Sequence, residues 1–335
     1  MARVLVLFGG RSAEHEVSCV SAVAVVAALT GAGHEAVPVG IDREGQWWLA
    51  STGSDPMEAA GERVSLSLPG GTLEAAGRRI GFDVVFPVLH GPFGEDGTIQ
   101  GVFEIAGIPY VGCHVMSSAV AMEKDLTKQV AGHAGVPSAS WRVVRRNEFD
   151  DPSRVADDIG DELGLPVFVK PAELGSSVGI TRCETEHELK DGILTALRYG
   201  DKVIVEEEVR GREIEVAVLD GPRASVPGEV VVSGWYDYEA KYQDDSSEFV
   251  APADLTDAQI AEVQELARRT FQALECRGLA RVDFFLEPDG RGFLLNEVNT
   301  MPGFTPISGF PKMWMASGMT YPELCNELVE LALRT

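Results

Sequence analysis

Two carboxylates and an amide near the C-terminus have the types and spacing of a magnesium site. Residues 281–299 contain two apolar segments separated by Pro-Asp-Gly, which predicts two β-strands joined by a turn. A turn there places Asp283 opposite Glu297, with Asn299 and Arg281 beside them. Facing carboxylates repel each other unless a cation lies between them. Oxygen ligands of this kind suit a Mg²⁺ that also binds substrate phosphates, so we predict such a site.

The same hairpin must bury its other face. Alternate side chains share a face of a strand, which predicts two groups: Arg281, Asp283 and Phe285 on the first strand, and Leu295, Glu297 and Asn299 on the second. Apolar residues are left for the opposite face, namely Phe284, Leu286 and Leu294. The alternative is a solvated hairpin with scattered charges, which does not explain this apolar face.

The composition is that of a globular protein with a strongly acidic balance. The 335 residues are 45% hydrophobic and 24% charged, which predicts two or three domains and a sizeable core. The formal net charge of −24 argues against nucleic acids and anionic membranes, because both attract basic surfaces. A locally basic phosphate site is still compatible with it. We see no apolar segment with the length of a membrane span or the pattern of a signal peptide.

The cysteines show no pattern of covalent or metal pairing. They are Cys19, Cys113, Cys183, Cys276 and Cys325. Their number is odd and no CxxC spacing occurs, which supports neither a disulfide framework nor a zinc site. We therefore expect reduced thiols and a cytoplasmic protein.

The N-terminal third alternates strands and helices, which predicts a parallel sheet. The predicted strands are 3–8, 34–41 and 84–89, and the predicted helices are 18–29, 98–106 and 117–131. Residues 51–79 have weak periodicity and many glycines, so we leave them as variable surface structure.

Beyond Pro137 the predicted elements are shorter and mixed. The strands are 166–171, 202–209, 213–219 and 229–233, and the helices are 186–199, 257–274 and one opened by Thr320 and Glu323. Residues 234–251 are polar and aromatic without either period, which indicates a lid loop.

A glycine- and serine-rich turn at 175–179 is compatible with more than one chemistry. Its backbone N–H groups could approach phosphate, and Lys170 stands just upstream, although the motif is neither a Walker A loop nor a Rossmann fingerprint. The turn also matches G-x-S-x-G, the nucleophile elbow of hydrolases. That elbow needs a helix directly after the serine and a histidine far downstream. Residues 180–183 continue as a strand and His187 is the last histidine, so the hydrolase interpretation fails.

Six short motifs follow one another along nearly the whole chain, at residues 9–18, 90–97, 170–179, 236–242, 281–283 and 296–303. In this order they resemble the ATP-grasp ligases and, within them, the D-alanine–D-alanine ligases. The resemblance implies an α/β ATP-grasp fold with an N-terminal Rossmann-like (pre-ATP-grasp) parallel α/β domain. The expected domains are 1–115 for a substrate, 116–207 as the central ATP-grasp domain, and 208–335 as the C-terminal one with the lid loop and the magnesium site.

The resemblance implies a two-step ligation for peptidoglycan synthesis. ATP phosphorylates the carboxylate of one D-alanine, and the amine of a second D-alanine attacks the resulting acyl phosphate. A D-alanine–D-lactate or D-alanine–D-serine ligase is the alternative within the same class. A non-catalytic ATP-binding protein is a more remote alternative, and it predicts the loss of a metal ligand or phosphate lysine that this chain retains. The resemblance also implies a homodimer in the cytoplasm.

The family's ATP site matches ten residues here: Lys124, Lys170, Ser176, Ser177, Glu206, Glu207, Val209, Glu213, Lys241 and Phe285. The lysines are expected to neutralise phosphates. Glu206, Glu207 and Val209 are expected to meet adenine, partly through main chain, and Glu213 to meet ribose. The metal site matches Asp283, Glu297 and Asn299, which would hold a pair of Mg²⁺ ions, with Mn²⁺ able to substitute.

The family's substrate site matches residues from both ends of the chain. Arg281 and the backbone N–H of Gly303 correspond to the oxyanion-stabilising pair. Glu14 corresponds to the ligand of the first D-alanine's ammonium, and His90 lies near that substrate's carboxylate. Ser308 corresponds to the ligand of the second carboxylate. A hydrogen-bonded trio that closes the lid matches Glu14, Ser176 and Tyr242.

Overall fold

A computed structural model of the chain describes residues 1–68, 71–173, 175, 179–232, 247–287 and 290–334. Its strands form three sheets, and each sheet lies within one of the three predicted domain ranges. The division of the chain into those domains remains a prediction. None of the helices in the described part of the chain combines the length and apolar composition needed to cross a bilayer.

The N-terminal sheet begins as predicted, with parallel strands joined by a helix. These elements are β1 (Arg3–Gly9), α1 (His15–Gly31) and β2 (Glu35–Ile41). Four short strands extend the sheet beyond β2 by antiparallel pairing: β3 (Trp47–Leu49), β4 (Glu62–Ser67), β5 (Thr72–Ala75) and β6 (Arg78–Ile80). On the other side, β7 (Val84–Val88) lies parallel to β1. Much of segment 51–79 is therefore sheet rather than irregular surface structure.

The helices that follow include one correction. The helix α2 (Thr98–Ala106) has its predicted bounds. The single helix predicted at 117–131 is instead a pair, α3 (Val115–Met122) and α4 (Lys124–His133), interrupted at Glu123. Glu123 has an extended backbone conformation, so the chain turns there and Lys124 becomes the first residue of a new helix.

The central sheet is antiparallel. Its elements, with a short 3₁₀ turn at Arg146–Glu148, are β8 (Trp141–Arg145), α5 (Pro152–Leu163), β9 (Val167–Pro171), β10 (Thr181–Cys183), α6 (Glu186–Ala196) and β11 (Lys202–Glu207). The strand order is β10-β9-β11-β8. Because the chain continues after the glycine-rich turn as β10, paired with β9, the strand–helix geometry of a nucleophile elbow is absent from these described residues.

The third sheet carries the predicted hairpin. Its strands are β12 (Arg212–Leu219), β13 (Arg223–Ala224), β14 (Gly228–Val232), β15 (Ser247–Val250), β16 (Leu279–Glu287) and β17 (Gly292–Asn299). The helices around it are α7 (Asp257–Ala273), α8 (Gly309–Ala316) and α9 (Tyr321–Arg334). The predicted lid loop 234–251 needs correction at its end, because β15 pairs with β14 there. Residues 233–246 lie outside the described part of the chain.

One hydrophobic core joins the first and last parts of the chain. Buried residues of β7 and α1 pack in the same cluster as residues of α8 and α9. The rings of Phe86 on β7 and Phe304 before α8 lie 5.5 Å apart, edge to face. This shared core fixes the loop that follows β17 against the loops at the carboxyl end of β1 and β7.

Candidate active site

The β16–β17 hairpin brings the predicted carboxylates together. Asp283 pairs with Glu297 across the two strands, as predicted, and Arg281 pairs with Asn299. Asp283 is buried, with 1% of its surface exposed. The sequence pattern therefore located the most acidic part of the site correctly.

A β-bulge changes the faces predicted for part of β17. Asp283 faces Glu297, but the next residue, Phe284, faces Leu295, so Asn296 is the extra residue. Leu295 consequently packs in the core with Phe284 rather than sharing a face with Glu297. Leu294 pairs with Phe285 instead of joining Phe284, so the prediction for both leucines was wrong. A bulge reverses the alternation of side chains, and nothing in the apolar pattern marks its position.

Arg281 lies between two acidic side chains. Its Nε and Nη2 donate to the two carboxylate oxygens of Asp283 at 2.8 and 2.7 Å, and its Nε lies 3.3 Å from Oε2 of Glu215. Burial would lower the pKa of Arg281, but these carboxylates raise it above its ordinary value, so the guanidinium stays charged. Glu215 was not predicted. A sequence signal was available, since Glu215 is two residues after Glu213 in a predicted strand. In the structure Glu215 pairs directly with Asp283.

The interruption between α3 and α4 positions one phosphate lysine. Lys124 is buried, and its Nζ lies 3.5 Å from Oε2 of Glu297. Its backbone N–H donates to the carbonyl of Ala172 at 3.1 Å, just after β9. The first residue of α4 therefore connects the acidic hairpin with the end of β9.

The second phosphate lysine belongs to a buried triad. The Nζ of Lys170 lies 2.6 Å from one carboxylate oxygen of Glu206, and the Nζ of Lys128 lies 2.9 Å from the other. Burial alone would raise the pKa of Glu206, but the two ammonium groups outweigh it and lower the pKa to about 2. Burial lowers the pKa of Lys128, with Glu206 opposing that shift. Sequence reasoning missed Lys128, although it lies one helical turn after Lys124 and therefore on the same face of α4.

The other adenine and ribose candidates lie close to this triad. Glu207 accepts from the backbone N–H of Ser140 and pairs with Arg291, so its carboxylate already has protein partners. Val209 is half-buried just after β11. On β12, Glu213 pairs with Phe285 of β16.

Glu14 and His90 converge from the loops after β1 and β7. A Cβ on Gly91 would lie 2.5 Å from Oε2 of Glu14, so a side chain there would displace that carboxylate, and the positive φ of 72° also favours glycine. The ring of His90 is occupied on both sides, by the carbonyl of Met301 at 2.8 Å and by Oγ of Ser21 at 3.4 Å. Burial lowers the pKa of His90, so the ring is neutral near pH 7.

Gly303 and Ser308 are neighbours at the start of α8. A Cβ on Gly303 would lie 3.2 Å from Oγ of Ser308. That hydroxyl accepts from the backbone N–H of Thr305 at 3.1 Å, which fixes its position.

Four predicted residues lie outside the described part of the chain, namely Ser176, Ser177, Lys241 and Tyr242. Ser176 and Tyr242 belong to the trio predicted to close the lid with Glu14, so the contacts of that trio lie outside it as well.

A cavity lies where these groups meet, lined among others by Gly91, Glu95, Lys124, Gly175, Glu297 and Asn299. A larger cavity opens at the carboxyl end of β1 and β7. Its walls are mainly apolar and include Trp47, Phe93 and Val102. The smaller cavity is the candidate active site, because the predicted phosphate lysine Lys124 and the predicted metal ligands Glu297 and Asn299 all line it, and none of them lines the larger one.

The oxygen ligands around this cavity fit a magnesium ion shared with phosphate. In the described residues, no three His, Cys, Asp or Glu side chains gather as an all-protein metal cage requires. A Mg²⁺ that keeps water and phosphate ligands needs only one or two carboxylates, which Asp283 and Glu297 provide. Asn299 donates its Nδ2 to Asp283 at 2.9 Å, so its amide oxygen is a further oxygen donor at the same place.

Comparisons with known proteins agree along the whole chain. Residues 3–113 match the family described as D-ala D-ala ligase N-terminus, and residues 130–330 match D-ala D-ala ligase C-terminus. The D-alanine–D-alanine ligase of Streptomyces avermitilis is 44% identical, covering 99% of this chain and 94% of that protein. The corresponding ligase of Geobacillus kaustophilus is 45% identical, with coverages of 99% and 94%.

Solved structures agree with the sequence comparisons. The D-alanine–D-alanine ligase from Coxiella burnetii has a TM-score of 0.88 and 36% identity, covering 99% of this chain and 94% of its own. The VanG D-Ala:D-Ser ligase from Enterococcus faecalis has a TM-score of 0.87 and 35% identity, with coverages of 98% and 99%. The predicted ATP-grasp fold is confirmed, and the chain belongs to the D-alanine–D-alanine ligase family.

Proposed function

We propose that this protein joins two molecules of D-alanine to D-alanyl-D-alanine at the expense of ATP, for peptidoglycan precursor synthesis. One observation carries the proposal beyond family membership. A single cavity brings a phosphate lysine, Lys124, to 3.5 Å from Glu297, directly across the hairpin from the Arg281–Asp283 pair. Phosphoryl transfer and oxyanion stabilisation can therefore occur side by side.

The first step transfers the γ-phosphoryl group of ATP to the carboxylate of one D-alanine, which gives an acyl phosphate and ADP. Lys124 and Lys170 neutralise phosphate charge, and Glu206 holds Lys170 in place through its ion pair. A pair of Mg²⁺ ions held by Asp283, Glu297 and Asn299 would supply further neutralisation, and Mn²⁺ could replace them. Since the carboxylate of Glu206 is already paired, we assign its contact with adenine to the main chain, together with Glu207 and Val209.

The second step forms the peptide bond. Glu14 holds the ammonium of the first D-alanine, and Ser308 binds the carboxylate of the second. The neutral amine of the second D-alanine attacks the acyl carbonyl, whose oxygen becomes an oxyanion facing Arg281 and the N–H of Gly303. The bond to phosphate then breaks, phosphate leaves with the bonding electrons, and the proton lost by the amine nitrogen goes to that phosphate. Roles for Ser176, Ser177, Lys241 and Tyr242 are supported by the family motifs alone.

The setting of the enzyme is also a proposal. All five cysteines are buried with free thiols, which suits a reducing compartment and supports a cytoplasmic location. The family resemblance supports a homodimer, which size-exclusion chromatography with light scattering can test.

Phosphate release with a substrate panel tests the proposed activity. Purified protein receives ATP and Mg²⁺ with D-alanine alone, or with D-alanine plus D-serine or D-lactate, and the products are separated by chromatography. We expect D-alanyl-D-alanine to dominate in every mixture. The similarity to the VanG D-Ala:D-Ser ligase makes D-alanyl-D-serine the second candidate product. Dominance of the mixed product would change the substrate assignment, and no phosphate release with any mixture would overturn the ligase proposal.

A further inference from the structure

Both polar backbone groups of Met301 are hydrogen-bonded to side chains from the N-terminal third of the chain. Its N–H donates to Oε1 of Glu95 at 2.9 Å, and its carbonyl accepts from Nδ1 of His90 at 2.8 Å. Glu95 and His90 both belong to the loop after β7, more than 200 residues away in sequence (206 and 211). The N–H and the carbonyl of this one residue are therefore both hydrogen-bonded across the junction of the first and third sheets.

The loop after β7, which supplies Glu95 and His90, is itself held by hydrogen bonds. The second carboxylate oxygen of Glu95 accepts from the backbone N–H of Gly91 at 2.6 Å. The carbonyl of His90 accepts from Oγ of Ser12 at 2.7 Å, and the same hydroxyl accepts from the N–H of Glu14 at 3.2 Å. Glu95 therefore connects Met301 to the loop that also positions the proposed ligand of the substrate ammonium.

Met301 lies two residues before Gly303, the proposed oxyanion donor. We call residues 300–303 the oxyanion turn. Pro302 lies between Met301 and Gly303, and its ring fixes its own φ. Because this backbone dihedral cannot adjust, a displacement of Met301 also displaces Gly303. Thr300 adds a weaker contact, since its Oγ1 lies 3.4 Å from the carbonyl of Glu95.

We propose that Glu95 is a positioning residue that holds the oxyanion turn against the first-substrate loop, so that the N–H of Gly303 faces the acyl carbonyl during peptide bond formation. The proposal rests on the function proposed above. Glu95 acts through Met301 and has no assigned contact with a substrate. A carboxylate suits the task because each of its oxygens accepts one N–H, whereas a glutamine accepts with only one.

The ionised form of Glu95 is unfavourable in the folded protein, a cost that a neutral structural residue would avoid. Its carboxylate lines the active-site cavity, and the residue is half-buried. Burial and the nearby Glu14 carboxylate raise the pKa of Glu95 to about 8, against its two N–H bonds and Arg281. The experiment is therefore set at pH 9, where Glu95 is ionised and offers both acceptors.

The test measures turnover and the ratio of phosphate released to dipeptide formed, in the parent protein and in Glu95→Gln. We expect kcat to fall about 10–100-fold, because a shift of the order of 1 Å in a catalytic group costs this much. The KM for ATP should change less than about threefold, since phosphoryl transfer does not use the turn. Phosphate should exceed dipeptide in the variant, because the acyl phosphate forms but is attacked more slowly and hydrolyses.

Two further variants keep the test decisive. Glu95→Asp retains the charge but is one methylene shorter, so we expect it to lose the Met301 contact and show the same excess of phosphate, even if Glu95→Gln does not fold. Glu104→Gln alters an exposed carboxylate on α2 that bonds Tyr110 and His114, and it should match the parent. This inference alone is overturned if the parent forms dipeptide and the folded Glu95 variants behave like it. In that outcome their kcat stays within about twofold of the parent, and their ratio of phosphate to dipeptide stays at one. A parent that forms no dipeptide overturns the proposed function instead.

Discussion

At the residue scale, the acidic hairpin is suited to a cationic ligand. Asp283 is neutralised by Arg281, but Glu297 and Glu215 add further negative charge on the same face of the sheet. Lys124 lies 3.5 Å from Glu297 and forms an ion pair with it. Nucleotide phosphates with bound Mg²⁺ would relieve this imbalance, which gives Glu297 a role that a neutral isostere cannot fill.

Glu297→Gln tests that role. We expect the rate of dipeptide synthesis to fall at least about a hundredfold, close to 3 kcal/mol of barrier, because an amide cannot neutralise a bridging cation. The measurement is phosphate release at saturating D-alanine with Mg²⁺ varied. Glu262→Gln, an exposed change on α7, is the control and should behave as the parent. Activity within about tenfold of the parent would remove Glu297 from the metal site.

At the element scale, sequence periodicity predicted most strands and helices but not where they are interrupted. The short turn set the hairpin register only to within one residue, because its pairing would place Asp283 opposite Asn296, and the bulge is what brings Glu297 opposite Asp283. The bulge at Asn296 and the break at Glu123 could not be predicted, because both leave the local apolar pattern almost unchanged. Both irregularities serve the site, since one directs Glu297 and the other places Lys124 at the start of α4.

The helix α4 also connects separate elements through Lys128. Its Nζ contacts Glu206 on β11 and donates to the carbonyl of Leu295 on β17 at 3.0 Å. Replacing it by an apolar residue leaves Glu206 with Lys170 as its remaining cation. The ammonium of Lys170 would then be drawn further toward Glu206 and away from phosphate.

We therefore predict that Lys128→Met lowers the free energy of unfolding by about 3 kcal/mol and raises the KM for ATP several-fold. Urea unfolding and initial rates at varied ATP measure the two effects. Gln129→Met, at an exposed position next to it on α4, is the matched control and should change neither. A Lys128→Met variant as stable as the parent, with the same KM, would show that the triad does not organise the nucleotide site.

At the scale of the whole molecule, the sequence revealed which residues are chemically suited to the reaction but not which distant side chains hold them. The contact between Glu95 and Met301 spans 206 residues, and no local period encodes such a separation. The same is true of the core that joins α1 to α8 and α9. The family motifs compensated in part, because they identified residues 90–97 and 296–303 as functional without saying that the two segments touch.

Charge burial also makes the stability of the whole molecule depend on pH from two directions. Glu206 has a pKa lowered to about 2 in the folded state, so its contribution is complete above the ordinary pKa of about 4.5 and is lost as the pH falls toward 2. Glu95 has a pKa raised to about 8, so the folded state retains a proton that the unfolded chain releases. Its contribution therefore declines as the pH rises from about 4.5 to 8.

The last prediction isolates the acidic side of this profile. The free energy of unfolding in urea is measured at several pH values between 3 and 6 for the parent and for Glu206→Gln. We expect the variant to be less stable at pH 6 and the gap to narrow as the pH falls to 3, by up to about 2 kcal/mol, because the parent progressively loses the same ion pairs. Glu162→Gln removes the partner of Arg142 at a half-exposed position, with 47% of the side chain accessible, and should show a gap below about 1 kcal/mol throughout. A gap for Glu206→Gln that stays constant with pH would mean that Lys128 and Lys170 do not hold this carboxylate ionised.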